Sequence, residues 1–103
     1  MVFARKRFGQ HFLHDRGVLD RIVQEIGPKP DDALVEIGPG RGALTERLLG
    51  KGHTLDTLEI DRDLAAQLRE RWGTRGDFEV HVGDALNFDF ARLADRRGDT
   101  GTQ

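Results

Sequence analysis

The sequence predicts an α/β fold in which three parallel strands alternate with helices. Three short apolar runs, at residues 33–37, 54–60 and 78–82, are bounded by turn-forming residues and are typical of buried strands. The segments between these runs repeat their apolar residues at helical spacing. Strands that alternate with helices of this length form right-handed βαβ units, and this handedness lays the strands parallel in one sheet.

A further helix is predicted ahead of the first strand. Asp15 suits the N-cap position, and Gly27 followed by Pro28 ends the helical pattern. Between them the apolar residues recur on one helical face, which carries Val18, Leu19, Ile22, Val23 and Ile26. This periodicity predicts an amphipathic helix.

The two helices between the strands begin in different ways. The first, at residues 43–49, follows a turn with three glycines and is closed by further glycines. The second follows residues 54–60 and has Asp61 at its N-cap, and its buried face carries Leu64, Ala65, Leu68 and Trp72. Residues 96–103 have no apolar side chain, so we expect them to fray.

Composition excludes several classes of protein. The chain has 103 residues, of which 33% are charged and 37% are hydrophobic, and it contains no cysteine. These proportions are typical of a globular domain, and the lack of cysteine excludes a disulfide framework. No apolar run approaches the roughly 20 residues that span a bilayer, and no apolar signal-peptide core follows the basic start. We therefore expect a cytoplasmic location.

Residues 1–14 have the composition of a basic N-terminal arm. Basic and aromatic side chains are interleaved in it, with Arg5, Lys6 and Arg7 among Phe3, Phe8 and Phe12. Basic groups beside aromatic rings suit the backbone and the bases of a nucleic acid. A solvated tail is the alternative interpretation, because charge alone fits both.

The stretch EIGPGRGALTERLL, at residues 36–49, places Gly38, Gly40 and Gly42 in the first strand-to-helix turn. In an open parallel sheet, the ligand crevice lies outside the carboxyl ends of the strands. Glycine is required where φ is positive or where a ligand touches the main chain, and the following helix offers unpaired N–H groups. The turn therefore predicts an adenosine-type ligand, with a tight connection that binds nothing as the alternative.

Two acidic residues follow the next two strands. Glu59 ends the second strand, close to the roughly 20-residue spacing at which an acidic side chain meets ribose hydroxyls in dinucleotide-binding folds. Asp84 follows the third strand, where an ordinary turn or helix cap is the alternative interpretation. Together with the glycine turn, these residues predict that three consecutive strand ends converge on one crevice.

The glycine spacing GxGxG departs from the GxGxxG of NAD and FAD folds, so S-adenosylmethionine is the better fit and an NAD-type cofactor the weaker alternative. In their order and spacing, the segments RKRFGQHFL, EIGPGRGALT, LEID and GDAL closely resemble the ribosomal RNA adenine dimethyltransferase family. The resemblance covers residues 5–93. It implies a Rossmann-like class I methyltransferase domain that uses S-adenosylmethionine to dimethylate adjacent adenines of rRNA in the small ribosomal subunit.

The resemblance also implies a set of cofactor-binding residues, namely His11, Leu13, Gly38, Gly40, Glu59 and Asp84. His11 and Leu13 lie in the arm and would close over the cofactor. This gives His11 a cofactor role rather than a metal role. We expect no metal site, since the close histidine pair His11 and His14 has no cysteine or convincing carboxylate partner.

The remaining contacts implied by the resemblance follow the order of the strands. Gly38 and Gly40 would meet the methionine portion of the cofactor. Glu59 would bind the ribose hydroxyls. Ile60 would pack on the adenine, and Asp84 would accept a hydrogen bond from the adenine amino group.

The chain departs from the family in one motif. The family holds its target adenine with an Asn–Leu/Ile–Pro–Tyr/Phe motif, whereas this chain has no tyrosine and its single asparagine is Asn87. We therefore assign no catalytic residue here, and interpret residues 15–103 as part of the cofactor-binding domain, ending before the catalytic motif and a helical C-terminal domain. Such a segment is expected to be inactive alone, with an open sheet edge at residues 33–37. The alternative function is a non-catalytic nucleotide- or RNA-binding module of Rossmann type.

Overall fold

The computed structural model describes residues 2–5 and 15–97, with side chains for residues 15–94, so the predictions for His11 and Leu13 lie outside the described residues. Its elements are β1 (Val2–Arg5), α1 (Arg16–Ile26), β2 (Ala33–Ile37), α2 (Ala43–Leu48), β3 (Thr54–Glu59), α3 (Arg62–Trp72), β4 (Phe78–Val82) and α4 (Phe90–Arg97). The three predicted strands and three predicted helices are confirmed, with bounds within one residue of those expected. Within the described ranges, no helix has the length and apolar character needed to cross a membrane.

Side chains cap the two 11-residue helices at their starts. Asp15 accepts a hydrogen bond from the N–H of Val18 at 3.1 Å. The Asp61 carboxylate accepts from the N–H groups two and three residues further on, at 2.8 and 3.1 Å. Gly27 ends α1 in the left-handed region, with φ at +57°. The predicted caps are therefore confirmed, and each N-cap stabilises its helix by about 0.5–2 kcal/mol.

Four parallel strands form one sheet in the order β1-β2-β3-β4. The register aligns Leu34 with Leu55, and Leu55 with Phe78. Because side chains alternate along a strand, these three residues share one face of the sheet. The strand directions confirm the predicted α/β fold.

The sequence does not predict β1, and this strand corrects one expectation. Val2–Arg5 pairs in parallel with β2, from Val2 opposite Leu34 to Arg5 opposite Ile37. The expectation that β2 has an open edge is therefore wrong. An unpaired edge presents N–H and C=O groups to any extended segment nearby, and the Val-Phe sequence of β1 favours extended structure. The strand overlaps the predicted basic arm at residues 1–14, whose other residues, 1 and 6–14, lie outside the described residues.

One face of the sheet carries the apolar core beneath α1, α2 and α3. The core contains Leu19, Leu34, Leu44, Leu48, Leu55, Ala65, Leu68, Phe78 and Val80. Each fully buried leucine in such a core stabilises the fold by about 1.5–3 kcal/mol. The same packing fixes the ends of β2, β3 and β4 relative to one another.

Helix α4 lies against the opposite face of the sheet and is not predicted by the sequence. The ring of Phe88, just before α4, meets that of His81 edge to face at 5.5 Å between centroids. His81 alternates with the core residue Val80 and so points to the other face. Leu93 is the buried apolar residue of α4. The helix has eight residues, which is fewer than the roughly 11–18 over which helical periodicity is normally recognised in a sequence, so the sequence does not predict it.

Candidate ligand-binding site at the carboxyl ends of the strands

A crevice lies where β2, β3 and β4 end. Sheet hydrogen bonding continues into the turns beyond the strands, since the N–H of Gly38 donates to Leu58 at 2.9 Å and that of Gly83 donates to Glu59 at 3.1 Å. These bonds hold the first residues of the two turns in line with the sheet. A cavity of about 200 Å³ opens there, lined by Ile37, Gly38, Leu58, Ile60, Gly83, Asp84 and Ala85.

Gly38 and Gly40 are the first two glycines of the turn, and Gly38 lines the cavity. Their φ angles are +71° and +59°, in the region that favours glycine. A Cβ placed on Gly38 would meet no atom of the described residues within 4 Å, apart from its chain neighbours. Since packing does not exclude a side chain at Gly38, the bare backbone leaves room for a ligand to approach closely.

Gly42 lies in the same turn but has a different environment. It is the N-cap residue of α2, with φ at +89°. A Cβ at this position would lie 2.8 Å from two ring carbons of Trp72 and 3.1 Å from the side chain of Leu68. The third glycine is therefore required by close packing of the turn against α3.

Glu59 is 5% exposed and connects the glycine turn to the start of α3. Its Oε1 accepts from the N–H of Gly40 at 2.9 Å, and its Oε2 accepts from the N–H of Asp61 at 3.0 Å. A carboxylate has about four lone-pair sites, so two backbone bonds leave acceptor capacity for ligand hydroxyls. The side chain thus fixes the turn and retains the chemistry needed to bind a ribose.

Asp84 is exposed at the mouth of the cavity and also organises the turn after β4. Its Oδ1 accepts from the N–H of Leu86 at 2.9 Å, and its carbonyl oxygen accepts from the N–H of Asn87 at 2.9 Å. This turn-forming role is the alternative to ligand binding that the sequence also allows for Asp84. The carboxylate remains accessible to a donor in the crevice, so the turn role and a binding role are compatible.

Exposed apolar side chains flank the crevice. Ile60 is 68% exposed at the end of β3, and Leu86 is 90% exposed in the turn after β4. Apolar residues exposed to this degree beside a cavity are typical of a binding site for a flat apolar group. Leu86 is absent from the predicted set.

Glu36 is a second residue that the site prediction leaves out. It is fully buried at the end of β2, and its Oε1 accepts from the Thr45 hydroxyl in α2 at 2.6 Å. This bond joins the two elements that flank the glycine turn. The signal in the sequence was a charged residue within the buried strand ALVEI, since buried charges require partners.

Away from the crevice, Asp56, Glu79 and His81 form a polar cluster on the α4 side of the sheet. Their ligand atoms lie within 4.8 Å of one another, which is close enough to share a metal ion, although no such site is predicted. His81 Nε2 lies 2.9 Å from Asp56 Oδ1, and the two groups form a direct hydrogen bond. Spacing along the chain gave no signal for this contact, because Asp56 and His81 lie on neighbouring strands.

A cavity of about 410 Å³ lies beside this cluster and is larger than the crevice. It is lined by His81, Phe88, Asp89, Arg92 and Leu93. The smaller cavity is the better candidate for a ligand-binding site, because ligands of open parallel sheets bind outside the carboxyl ends of the strands. The larger cavity instead lies between the face of the sheet and α4.

The structure brings together four of the six sequence-predicted cofactor residues, which are Gly38, Gly40, Glu59 and Asp84. They follow three neighbouring parallel strands. Their meeting depends on the sheet order and not on proximity along the chain. The other two predicted residues lie outside the described ranges, so their positions stay a prediction.

Several known proteins are similar to this chain. The family model described as ribosomal RNA adenine dimethylase matches residues 1–101. Ribosomal RNA small subunit methyltransferase A of Pseudomonas fluorescens is 57% identical over 90 residues, which are 87% of this chain and 33% of that protein. The protein of the same name from Chromohalobacter salexigens is 58% identical over 91 residues, covering 88% of this chain and 32% of that protein.

A solved structure supports the fold independently. The crystal structure of a dimethyladenosine transferase from Plasmodium falciparum matches with a TM-score of 0.67 and 32% identity, over 74% of this chain and 28% of that chain. The chain spans about a third of the length of the curated relatives it matches. With the family model matching nearly every residue and the three strand ends converging on one crevice, the chain belongs to the ribosomal RNA adenine dimethylase family of methyltransferases.

Proposed function

We propose that the crevice binds S-adenosylmethionine and that the chain supplies the cofactor-binding part of an rRNA adenine N6-dimethyltransferase. The main supporting observation is the convergence of an open glycine turn, a buried acceptor and an exposed acceptor at three adjacent strand ends. These groups are Gly38, Glu59 and Asp84. Each offers the chemistry required by a different part of an adenosine-containing sulfonium cofactor.

The residues present fit the cofactor in a definite order along the crevice. The bare backbone at Gly38 would leave room for the methionine portion, which has both charge and bulk, with Gly40 beside it in the turn. Glu59 would accept from the ribose hydroxyls with the lone pairs not used by the backbone. The side chain of Ile60, which is 68% exposed, would cover the adenine ring, and the Asp84 carboxylate would accept from the adenine amino group.

S-adenosylmethionine supplies an electrophilic methyl group, and the role of the protein is to position it. The glycine turn is already fixed by Glu59, so little ordering of the backbone is required when ligand binds. Alignment matters for direct transfer, because a misplacement of about 1 Å can lower a rate by about a hundredfold. The cofactor part of the protein therefore contributes to the rate through the position of its loops.

We further propose small-subunit rRNA as the partner. The support is that the relatives are named ribosomal RNA small subunit methyltransferases. Basic residues of the N-terminal arm would contact the phosphates, which position a nucleic acid without selecting a base. Titration of the chain with a small-subunit rRNA fragment at several salt concentrations tests this, since phosphate contacts make log affinity fall linearly with log salt. Binding that is absent, or unaffected by salt, contradicts the proposed partner.

Calorimetry tests the cofactor proposal directly. Titration of the chain with S-adenosylhomocysteine, the product form of the cofactor, should give saturable binding with a stoichiometry of one. Titration with NAD should give none. Binding of NAD in preference to S-adenosylhomocysteine would favour the weaker NAD-type alternative, and binding of neither would contradict a cofactor role for this crevice.

A further inference from the structure

We infer that Arg71 and Trp72, the last two residues of α3, are positioning residues that set the conformation of the glycine turn and through it the affinity for the cofactor. Neither residue lines the crevice. The inference deepens the proposed function and rests on it for its binding readout. Its structural part concerns the turn itself and can be measured without any ligand.

The indole ring of Trp72 fills the space beside the turn. Two of its distal ring carbons lie 2.8 Å from the position that an ideal Cβ on Gly42 would occupy. The ring is itself held in place, because it meets Phe78 edge to face with 5.9 Å between ring centroids. Phe78 belongs to the buried core. The turn is thus packed against a ring whose own orientation is fixed by β4.

The Arg71 guanidinium joins the same ring to the turn backbone. Its central carbon lies 4.0 Å from the centroid of the Trp72 ring, in cation–π contact. Its Nη1 donates to the carbonyl oxygen of Arg41, in the middle of the turn, at 2.9 Å. Its Nη2 lies 3.8 Å from Glu46 Oε1 in α2. One side chain therefore connects α3 to the turn and to the helix that follows the turn.

The turn is consequently held from two sides. Glu59 holds the N–H of Gly40 on the crevice side, and Arg71 holds the carbonyl oxygen of the next residue on the α3 side. Within the turn, the N–H of Gly42 donates to Pro39 at 2.9 Å. Glycines are the most flexible residues of a chain, so a turn with three of them needs outside contacts to keep one conformation. Keeping that conformation before the ligand arrives lowers the cost of binding.

The decisive variant is Arg71→Met, which keeps most of the aliphatic side chain and removes the donors and the charge. Arg21→Met is the matched control, because Arg21 is exposed on α1 and makes no hydrogen bond or ion pair to the described residues. Arg71→Lys restores a charge and a donor. Trp72→Leu tests the ring, and Arg71→Met remains informative if the leucine variant does not fold.

Two measurements on the full chain decide the inference. Amide hydrogen exchange should become faster at Gly42 in Arg71→Met, with β3 amides unchanged and with partial recovery in Arg71→Lys. Affinity for S-adenosylhomocysteine should fall by about two- to tenfold in Arg71→Met, as expected for loss of one hydrogen bond, and should not change in Arg21→Met.

The outcomes separate this inference from the proposed function. Unchanged exchange at Gly42 overturns the inference whether or not the wild-type chain binds the cofactor. Faster exchange with unaltered affinity also overturns it, since the turn would then not control binding. If the wild-type chain binds no S-adenosylhomocysteine, both the proposed function and the predicted change in affinity are contradicted. Faster exchange at Gly42 in Arg71→Met would in that case still support the role of Arg71 in holding the turn.

Discussion

Gly38 and Gly42 lie four residues apart in one turn and both have positive φ, yet they are glycines for different reasons. A side chain at Gly38 would enter open space beside the crevice, whereas one at Gly42 would collide with Trp72. The first position leaves access for a ligand, and the second allows two helices to pack closely. A glycine motif read from sequence alone combines these two requirements, and only the surrounding packing separates them.

The turn therefore has two halves. Gly38 and Gly40 form the ligand-facing half, and Gly42 forms the packing half. Glu59 supports the ligand-facing half through Gly40, and the end of α3 supports the packing half. If the division is correct, substitutions in the packing half should mainly lower the free energy of unfolding. Substitutions in the ligand-facing half should mainly lower cofactor affinity.

The largest effect is expected for Gly42→Ala, in the packing half. The new methyl group would lie 2.8 Å from a ring that Phe78 and Arg71 hold in place, and φ is +89°. Overpacking and backbone strain together should lower the free energy of unfolding by about 2–5 kcal/mol. Urea denaturation measures this loss. In a Trp72→Leu background the same substitution should cost less, and an equal loss in both backgrounds would contradict the role assigned to the ring.

The next largest effect is expected for Glu59→Gln, on affinity. An amide keeps one oxygen, so one of the two backbone N–H groups that Glu59 now binds would face another donor. Hydrogen bonds to a charged group contribute about 1.5–3 kcal/mol, so affinity for S-adenosylhomocysteine should fall about ten- to a hundredfold. Calorimetry measures it, with the exposed Glu70→Gln of the adjoining helix as the control. Unchanged affinity would remove Glu59 from the site.

A smaller effect on stability is expected for Gly38→Ala, in the ligand-facing half. No atom of the described residues obstructs the new methyl group, so the strain of a positive φ is its main cost, about 1 kcal/mol of unfolding free energy. Affinity for S-adenosylhomocysteine should fall because the methyl group enters the crevice. Gly76→Ala is the matched control, since a Cβ there also meets nothing within 4 Å. If Gly38→Ala lowered the free energy of unfolding as much as Gly42→Ala does, the two halves of the turn would not have the different roles assigned to them.

Local signals in the sequence were enough to predict most of the fold. The caps Asp15 and Asp61 and the glycine that ends α1 act within a few residues, so their chemistry is visible along the chain. Strand β1 was missed because it depends on pairing with Ala33–Ile37, some 30 residues away. Helix α4 was missed because only tertiary contacts distinguish its short pattern from a loop.

For the site, the sequence indicated which residues lie at the crevice, but it gave little indication of the contacts that these residues make. The spacing of Glu59 and the glycines suggested a shared crevice, and a shared crevice requires only that parallel strands end at one edge. The hydrogen bonds that Glu59 accepts from the N–H groups of Gly40 and Asp61 had no such signal in the sequence, because they depend on the conformation of the turn. The contact between Gly42 and Trp72 joins residues 30 positions apart and was equally invisible.

The smallest effect is expected far from the turn, at the ion pair of Arg75 and Asp77 before β4. Arg75 donates two parallel hydrogen bonds to the Asp77 carboxylate, at 2.8 and 2.9 Å. This hydrogen bonding from Arg75 holds the pKa of Asp77 below its usual value, against a smaller opposing effect of desolvation. Because the folded-state pKa is the lower one, the pair stabilises the fold above the pKa of an unfolded aspartate, about 3.9.

Asp77→Asn should therefore lower the urea midpoint slightly at neutral pH, and the difference from wild type should vanish as pH falls through the folded-state pKa of Asp77. Asp31→Asn, at an exposed aspartate that makes no ion pair with the described residues, is the control and should change neither quantity. Asp77 precedes the amino end of β4, whereas the crevice lies at the carboxyl end, so affinity for S-adenosylhomocysteine should equal that of wild type. A change in affinity would mean that the whole sheet, and not the turn with its two supports, sets the geometry of the site.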